Sequence, residues 1–307
     1  MSRLRSISQF VALLGSVSAV MLVGCLPSGK VTANRANAEA MEKYFQGGGG
    51  GGEIAAVELP DPDGFGILKG TFKVVGTPAA QPALTVTADI GYCAPSGSMP
   101  SEQVVVGPDG GLRDVLIFLE MDIPQDEKWE HPDYQATKDA TLTGREQGFD
   151  QQKCRFLSHV FAMRSSQKLE IINSDTVGHN TKVDGPAAIN VNLPSKATDI
   201  YDPKGEQKNA PFPVSCSVHP WMKAWVITRD NPYFAVTDAE GNFEIQNVPS
   251  GVELKFRVWQ DKLGFVNVPV KVNGKDVTWK KGRLPLITVD NGASTPLDVE
   301  IDASAFN

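Results

Sequence analysis

The sequence has 307 residues, 41% of them hydrophobic, 8% aromatic and 21% charged, which allows a buried core and argues against general disorder. Twenty-nine basic against 36 acidic side chains give a net charge of −7, which argues against a nucleic-acid binder, whose affinity rests on clustered Lys and Arg. With 29 Gly and 21 Pro the chain favours turn-rich β structure, and only four Cys and four His are available for soft-metal or nucleophilic chemistry.

Residues 1–24 read as an export signal: Arg3 and Arg5 form a basic start, and Phe10 to Gly24 is uncharged and mostly apolar. At about 1.5 Å per residue that stretch falls short of a ~30 Å hydrocarbon core, so it is no permanent span. It ends in Leu22-Val23-Gly24-Cys25, which resembles the bacterial lipoprotein box. The resemblance implies cleavage before Cys25 and lipidation of its thiol; the plainer reading is an ordinary secretory signal with an incidental Cys. Leu26, where an Asp would signal inner-membrane retention, favours the outer membrane, with the protein facing the periplasm. Residues 25–65 then read as a lipid-anchored tether. They include a short helical stretch around Glu39 to Gln46 and six glycines at 47–52, which have no side chains to pack. No internal repeat or second hydrophobic span follows.

From Gly66 the pattern predicts short strands bounded by Gly, Pro, Asn and Asp. Expected strands are Gly70–Val75, Leu84–Asp89, Val115–Glu120, Val160–Met163, Leu169–Asn173, Val214–Cys216, Trp225–Thr228, Phe234–Thr237, Asn242–Gln246, Glu253–Trp259 and Leu284–Val289. Such spacing points to sandwiches or barrels and away from βαβ units. Asp122 to Gln152, polar and carrying Pro124 and Pro132, reads as an irregular insertion, and its His131 as an exposed loop histidine. Asp238-Ala-Glu-Gly-Asn predicts a hairpin turn with Gly241 at a position of positive φ. That stretch, with Val248-Pro-Ser-Gly251 and Leu254 to Trp259, resembles the carboxypeptidase-regulatory-like β-sandwich. The strands near Gly70 and Leu112 could open that sandwich from upstream, with the central segment inserted between its halves.

The chemistry concentrates in Cys216-Ser-Val-His219-Pro-Trp-Met222, with His179-Asn180 upstream. One thiolate, two imidazoles and a thioether are the donors of a blue-copper site, trigonal with a long axial Met. A Cys and a His two residues apart on a tight loop can both aim at one ion, while His179 must arrive from another strand. The loop Cys-x-x-His-x-x-Met, with Pro220 after the His and Trp221 before the Met, resembles the ligand loop of the short-loop, amicyanin-like cupredoxins. More widely, residues 66–305 resemble exported cupredoxin-like proteins of planctomycete type, related to a group labelled methylamine-utilisation-like. Shared features are Asp150-Gln-Gln, Cys154-Arg-Phe, Asp230 to Asp238 and Gly282-Arg-Leu. Ser158 and Ser166 depart from the family's usual Pro and Gly, and Gln260 stands where relatives often show His.

The resemblance implies an all-β fold, a Greek-key cupredoxin sandwich joined to a second, regulatory-like β-sandwich. It divides into 66–148 (N-terminal strands and insertion), 149–230 (the cupredoxin part) and 231–307 (the regulatory-like region). It further implies one type-1 copper held by His179, Cys216, His219 and axial Met222. The Asn180 N–H would bond the Cys216 sulfur, and its side chain would tie the ligand loops together. His219 would show its edge to solvent, within an apolar docking collar of Pro220, Trp221 and Phe212 for an envelope redox protein. With Cys25 lipidated, an oxidising compartment favours pairing two of the remaining three cysteines, Cys93 with Cys154; a Cys93–Cys216 pair would destroy the site. His159 is left a structural role. The implied function is single-electron carriage by a membrane-tethered, non-enzymatic protein. The alternative is a non-redox β-sandwich that binds an envelope polymer or protein, with a vestigial or copper-storing site. A multicopper oxidase would need further His clusters. Intact mass of protein extracted from native membranes should show a mature chain beginning at lipid-modified Cys25; a soluble, unlipidated chain starting elsewhere would overturn the anchor.

Overall fold

Apolar and polar residues alternate along Phe65–Val75, so Leu68, Phe72 and Val74 turn to one buried face. The computed structural model describes residues 59–307, a single compact unit that is almost entirely strand and turn. The export signal, Cys25 and the tether up to residue 58 lie outside the described residues. Among the described residues no helix is long and apolar enough to cross a membrane.

Strand Phe65–Val75 pairs antiparallel with Asn242–Pro249 and parallel with Val299–Asp302, which pairs in turn with Pro269–Val272. Strand Leu116–Leu119 is buried at every residue, as a strand covered on both faces must be. Its neighbours are Phe234–Val236 and Phe256–Gln260. Both upstream strands thus find their partner strands beyond residue 230, and the two sheets share one core containing Leu68, Phe72, Ile117, Phe243, Phe256 and Ile301.

The intervening segment builds a second sandwich. One sheet runs in the order Ile189–Leu193, His179–Val183, Phe212–Ser215, Lys223–Arg229, Val160–Arg164, antiparallel except for its last pair. The other centres on Lys168–Asn173, flanked by Thr198–Tyr201 and, in parallel, by Thr141–Leu142 and Phe149–Gln151. Phe149, Leu169, Ile171 and Tyr201 from the second sheet meet Val183, Phe212, Val214 and Val226 from the first.

Three local expectations change. Leu84–Asp89 is strand only over Leu84–Thr85, paired with Ser98–Met99; Asp89 begins the short helix Ile90–Cys93. This excursion packs Val86, Cys93, Ala94 and Met99 onto the second core and not the first. The Asp238–Gly241 turn has its positive φ at Gly241, 79°, but its flanking strands join different sheets and do not form a hairpin. The backbone of Phe72 takes the place of the hairpin partner, its N–H donating to Gly241 C=O at 2.8 Å. A Cβ on Gly241 would lie 2.3 Å from the Phe72 oxygen, so only glycine permits that approach. Leu284–Val289 is not a strand. Pro285 has no N–H to give a ladder, and the segment makes only isolated bonds, among them Leu284 N–H to Phe256 C=O and a reciprocal pair between Ile287 and Leu254.

His131 caps the helix Pro132–Ala136, its Nδ1 accepting the Asp133 N–H at 3.2 Å. His159 joins the two sandwiches. Its Nε2–H donates to the Asp261 carboxylate at 2.9 Å and its Nδ1–H to Lys223 C=O at 3.2 Å. Burial alone pushes the His159 pKa down, but the Asp261 hydrogen bond and the charges of Asp114 and Asp261 outweigh it, leaving the pKa above the ordinary 6.5. A group raised on folding contributes stability that is complete below its unfolded pKa and vanishes as pH rises through the folded one. Denaturant midpoints of the wild type should therefore fall as pH rises above about 6.5. Asp261→Asn should flatten that part of the profile; an unchanged profile would remove the ion pair from the stability balance.

Candidate metal centre

Two neighbouring sheet strands and one loop converge at one end of the second sandwich. Strand His179–Val183 starts with His179, while Cys216, His219 and Met222 lie in and at the end of the turn between Phe212–Ser215 and Lys223–Arg229. The turn closes on itself, Met222 N–H donating to His219 C=O at 2.9 Å and Cys216 N–H to Met222 C=O at 3.3 Å. All four side chains are buried, His219 completely and the others to within 2% exposure. Ligand atoms of His179, Cys216 and His219 lie within 4.8 Å of one another.

The hydrogen bonds decide which atoms face inward. His179 Nε2 meets the Asp175 carboxylate at 2.8 Å, and His219 Nε2 meets that of Asp89 at 2.9 Å. A carboxylate only accepts, so each Nε2 carries a proton and each Nδ1 is the ring nitrogen turned inward. Burial holds the His179 pKa below 6.5, outweighing the opposing Asp175 hydrogen bond, so that ring is neutral at neutral pH. The two Nδ1 atoms nevertheless lie 2.9 Å apart, with Cys216 Sγ 3.8 Å from that of His219. Facing lone pairs in a dry site repel unless a cation or a shared proton lies between them. The third donor is a soft sulfur that already accepts N–H bonds from Asn180 at 3.2 Å and His219 at 3.4 Å. Such a donor set fits a soft transition metal, and the imidazole–carboxylate pairs are the outer support that fixes ligand rings.

Asn180 also links the two ligand loops, its Oδ1 accepting Ser217 N–H at 3.3 Å while its Nδ2 donates to Asn190, Val191 and Asn192. Cys93 and Cys154 form a disulfide, and Cys216 is the free cysteine among the described residues. His159 and His131 lie outside the converging set.

The expected collar is not found. His219 has no exposed edge, Phe212 is 2% exposed and packs beside Gly185, and Trp221 is 9% exposed; of the three, only Pro220 reaches solvent. The reason is the excursion Leu84–Met99, bonded through Cys93 to Cys154, which lays Asp89 over His219. Trp221 turns inward, its ring 5.0 Å from that of His219 and its Nε1–H donating to Cys154 C=O at 3.2 Å.

Asp89 and Asp175 are the site residues that sequence reasoning missed. Asp89 lies 130 positions from His219, and no spacing rule connects them. Asp175 lies four residues before His179, a weak local signal that gains meaning only from its other bonds. It also accepts from Tyr92 Oη–H at 2.8 Å and from the N–H groups of Lys153 and Cys154 at 2.6 and 2.8 Å. Burial raises its pKa, but these donors together hold it below the usual carboxylate range. Lys153 and Cys154 both take left-handed φ, 50° and 54°, which turns successive N–H groups onto one carboxylate.

No family model matches the chain, and no curated protein matches it by sequence. Among solved structures it is similar to a reduced Cu(I) form, at pH 4, of an amicyanin mutant, with 15% identity and TM-score 0.25 over 28% of this chain and 86% of that one. An oxidised amicyanin mutant gives 12% identity and TM-score 0.25 over 37% and 91%. The Cu-containing nitrite reductase from Thermus scotoductus SA-01 gives 17% and 0.24 over 26% and 21%.

Asp175→Ala orphans several buried donors at once and should lower the unfolding free energy by about 3 kcal/mol or more. Asp89→Ala removes a carboxylate that is 43% exposed and should cost less than about 1 kcal/mol. Urea midpoints of the two variants test this order, and equal losses would contradict the support assigned to Asp175.

Proposed function

We propose that the chain is a cupredoxin-type single-electron carrier, anchored to the cell envelope by lipid at Cys25, with one copper site. The observation that carries the reading is the convergence of His179 Nδ1 and His219 Nδ1, 2.9 Å apart, beside the Cys216 sulfur. Bound copper would supply one-electron exchange between Cu(I) and Cu(II). His179, Cys216 and His219 would hold it, with Met222 as a weaker thioether donor that tunes the potential. The chain's own part is rigidity: Asp175 and Asp89 fix the imidazole rings, and two backbone N–H groups steady the thiolate in either charge state. Because His219 is covered, the route to a partner runs through Trp221, which also lines a cavity of about 310 Å³ with His159, Trp225 and Lys223. Export is supported by Arg3, Arg5 and the Leu22–Cys25 box, and the partner is a redox protein of the same compartment.

One observation favours a second reading. The full burial of His219 beneath Asp89 suits a site that stores copper as well as one that exchanges electrons. Visible absorption separates the two. Titration with Cu(II) should saturate at one equivalent and produce an intense thiolate-to-copper band. Cys216→Ser should abolish the band, since a hydroxyl cannot replace the thiolate's covalent bond, while His131→Ala should leave it intact. Met222→Leu should keep the colour and raise the reduction potential. A folded wild-type protein that binds copper without colour would turn the reading to storage; one that binds none would end both.

A further inference from the structure

The disulfide lies against the ligand set. The sulfurs of Cys93 and Cys154 and a ring nitrogen of His219 all lie within 4.8 Å of one another, and so do Cys154 Sγ, an Asp175 oxygen and a ring nitrogen of His179. A bridge that merely tied the excursion Leu84–Met99 to the sandwich would need no imidazole beside it, and this one has two. While oxidised, its sulfurs are weak donors; reduced, they become thiolates, the ligands that select Cu(I). The buried cluster would then offer three sulfurs and two imidazoles, enough for two Cu(I) ions at two or three donors each.

We propose that Cys93–Cys154 is a masked metal site, which a dithiol reductant opens and which then binds a second Cu(I) through Cys93 and Cys154. The step balances. A thiolate of the dithiol attacks Cys93 Sγ, the S–S bond breaks, and Cys154 leaves as a thiol. The dithiol's second sulfur then displaces Cys93 as a thiol, and the reductant departs as a disulfide, having given two electrons and two protons. Each cysteine releases its proton to solvent as it takes metal. Attack is directed at Cys93 because it is 9% exposed while Cys154 is fully buried. Cys93 also ends the helix Ile90–Cys93, whose Ile90 and Tyr92 stand 45% and 39% exposed, and the adjoining sheet is only two residues long. The inference rests on the copper reading for the first equivalent, but its measurement is separate.

The full chain is titrated with Cu(I) without oxygen, in competition with a chromophoric chelator, before and after treatment with a dithiol that is then removed. Oxidised protein should take one equivalent and reduced protein two, while the Cys93→Ser, Cys154→Ser double variant should take one under both conditions. Far-UV circular dichroism checks that each sample is folded. A readout that needs no variant is iodoacetamide trapping of the reduced wild type, in which Cu(I) should slow alkylation of Cys93 and Cys154 by about tenfold or more. Equal uptake before and after reduction, a second equivalent kept by the double variant, or alkylation unaffected by Cu(I) would each overturn the masked site. An oxidised protein that takes no copper, with one equivalent gained on reduction, would overturn the copper-carrier reading and leave this one standing.

Discussion

The Asp175 carboxylate is the point on which the site depends. Buried and in contact with four donors, it receives His179 Nε2–H, the N–H groups of Lys153 and Cys154, and the Tyr92 hydroxyl. One of these belongs to an imidazole, two to the left-handed turn that carries one half of the disulfide, and the last to the helix that carries the other half. The charge would be costly in a dry interior without such donors, and the donors would be orphaned without the charge. Each half makes the other tolerable, so the orientation of His179 and the course of the chain around Cys154 are settled together.

The same economy governs the other imidazole, with a different balance. Asp89 is 43% exposed and sits in a left-handed conformation, φ 45°, that a non-glycine residue adopts at some cost. The excursion that carries it is held by two strand residues at each end and by the bond from Cys93. One imidazole is thus backed by the rigid interior of the sandwich and the other by a strap from the surface. The ligand cluster is symmetric in its chemistry and asymmetric in its mechanics.

The loop Cys216 to Met222 and the arithmetic of three remaining cysteines were legible because short-range spacing and redox compartment act directly on the chain. The β class was legible for the same reason, since alternation and turn residues are local. What escaped was set by long-range competition. The Asp238–Gly241 turn has hairpin chemistry, yet the edge of Phe65–Val75 captures the following strand. Leu284–Val289 has strand-like composition, but Pro285 interrupts its donors. The exposure of His219 followed from the loop alone, and no residue near it in sequence announces that Asp89 arrives from 130 positions away. Strands such as Pro269–Val272 and Val299–Asp302 are too short and too mixed in polarity to stand out before their neighbours are known.

The pairing of Phe65–Val75 with Asn242–Pro249 and Val299–Asp302 has a cost in time. A chain emerges from its N-terminus, so this strand appears first, while the segments that cover its edges appear last. The metal-centre sandwich between them can collapse on its own core while the strand waits with only its Phe72–Val74 end bonded, to Gly110–Leu112. Loop closure over such a span is slow, and an unpaired apolar edge invites pairing with another copy of itself. Lys69 and Lys73, exposed on that strand between its buried residues, place positive charge along the waiting edge and disfavour such self-association until the C-terminal strands arrive.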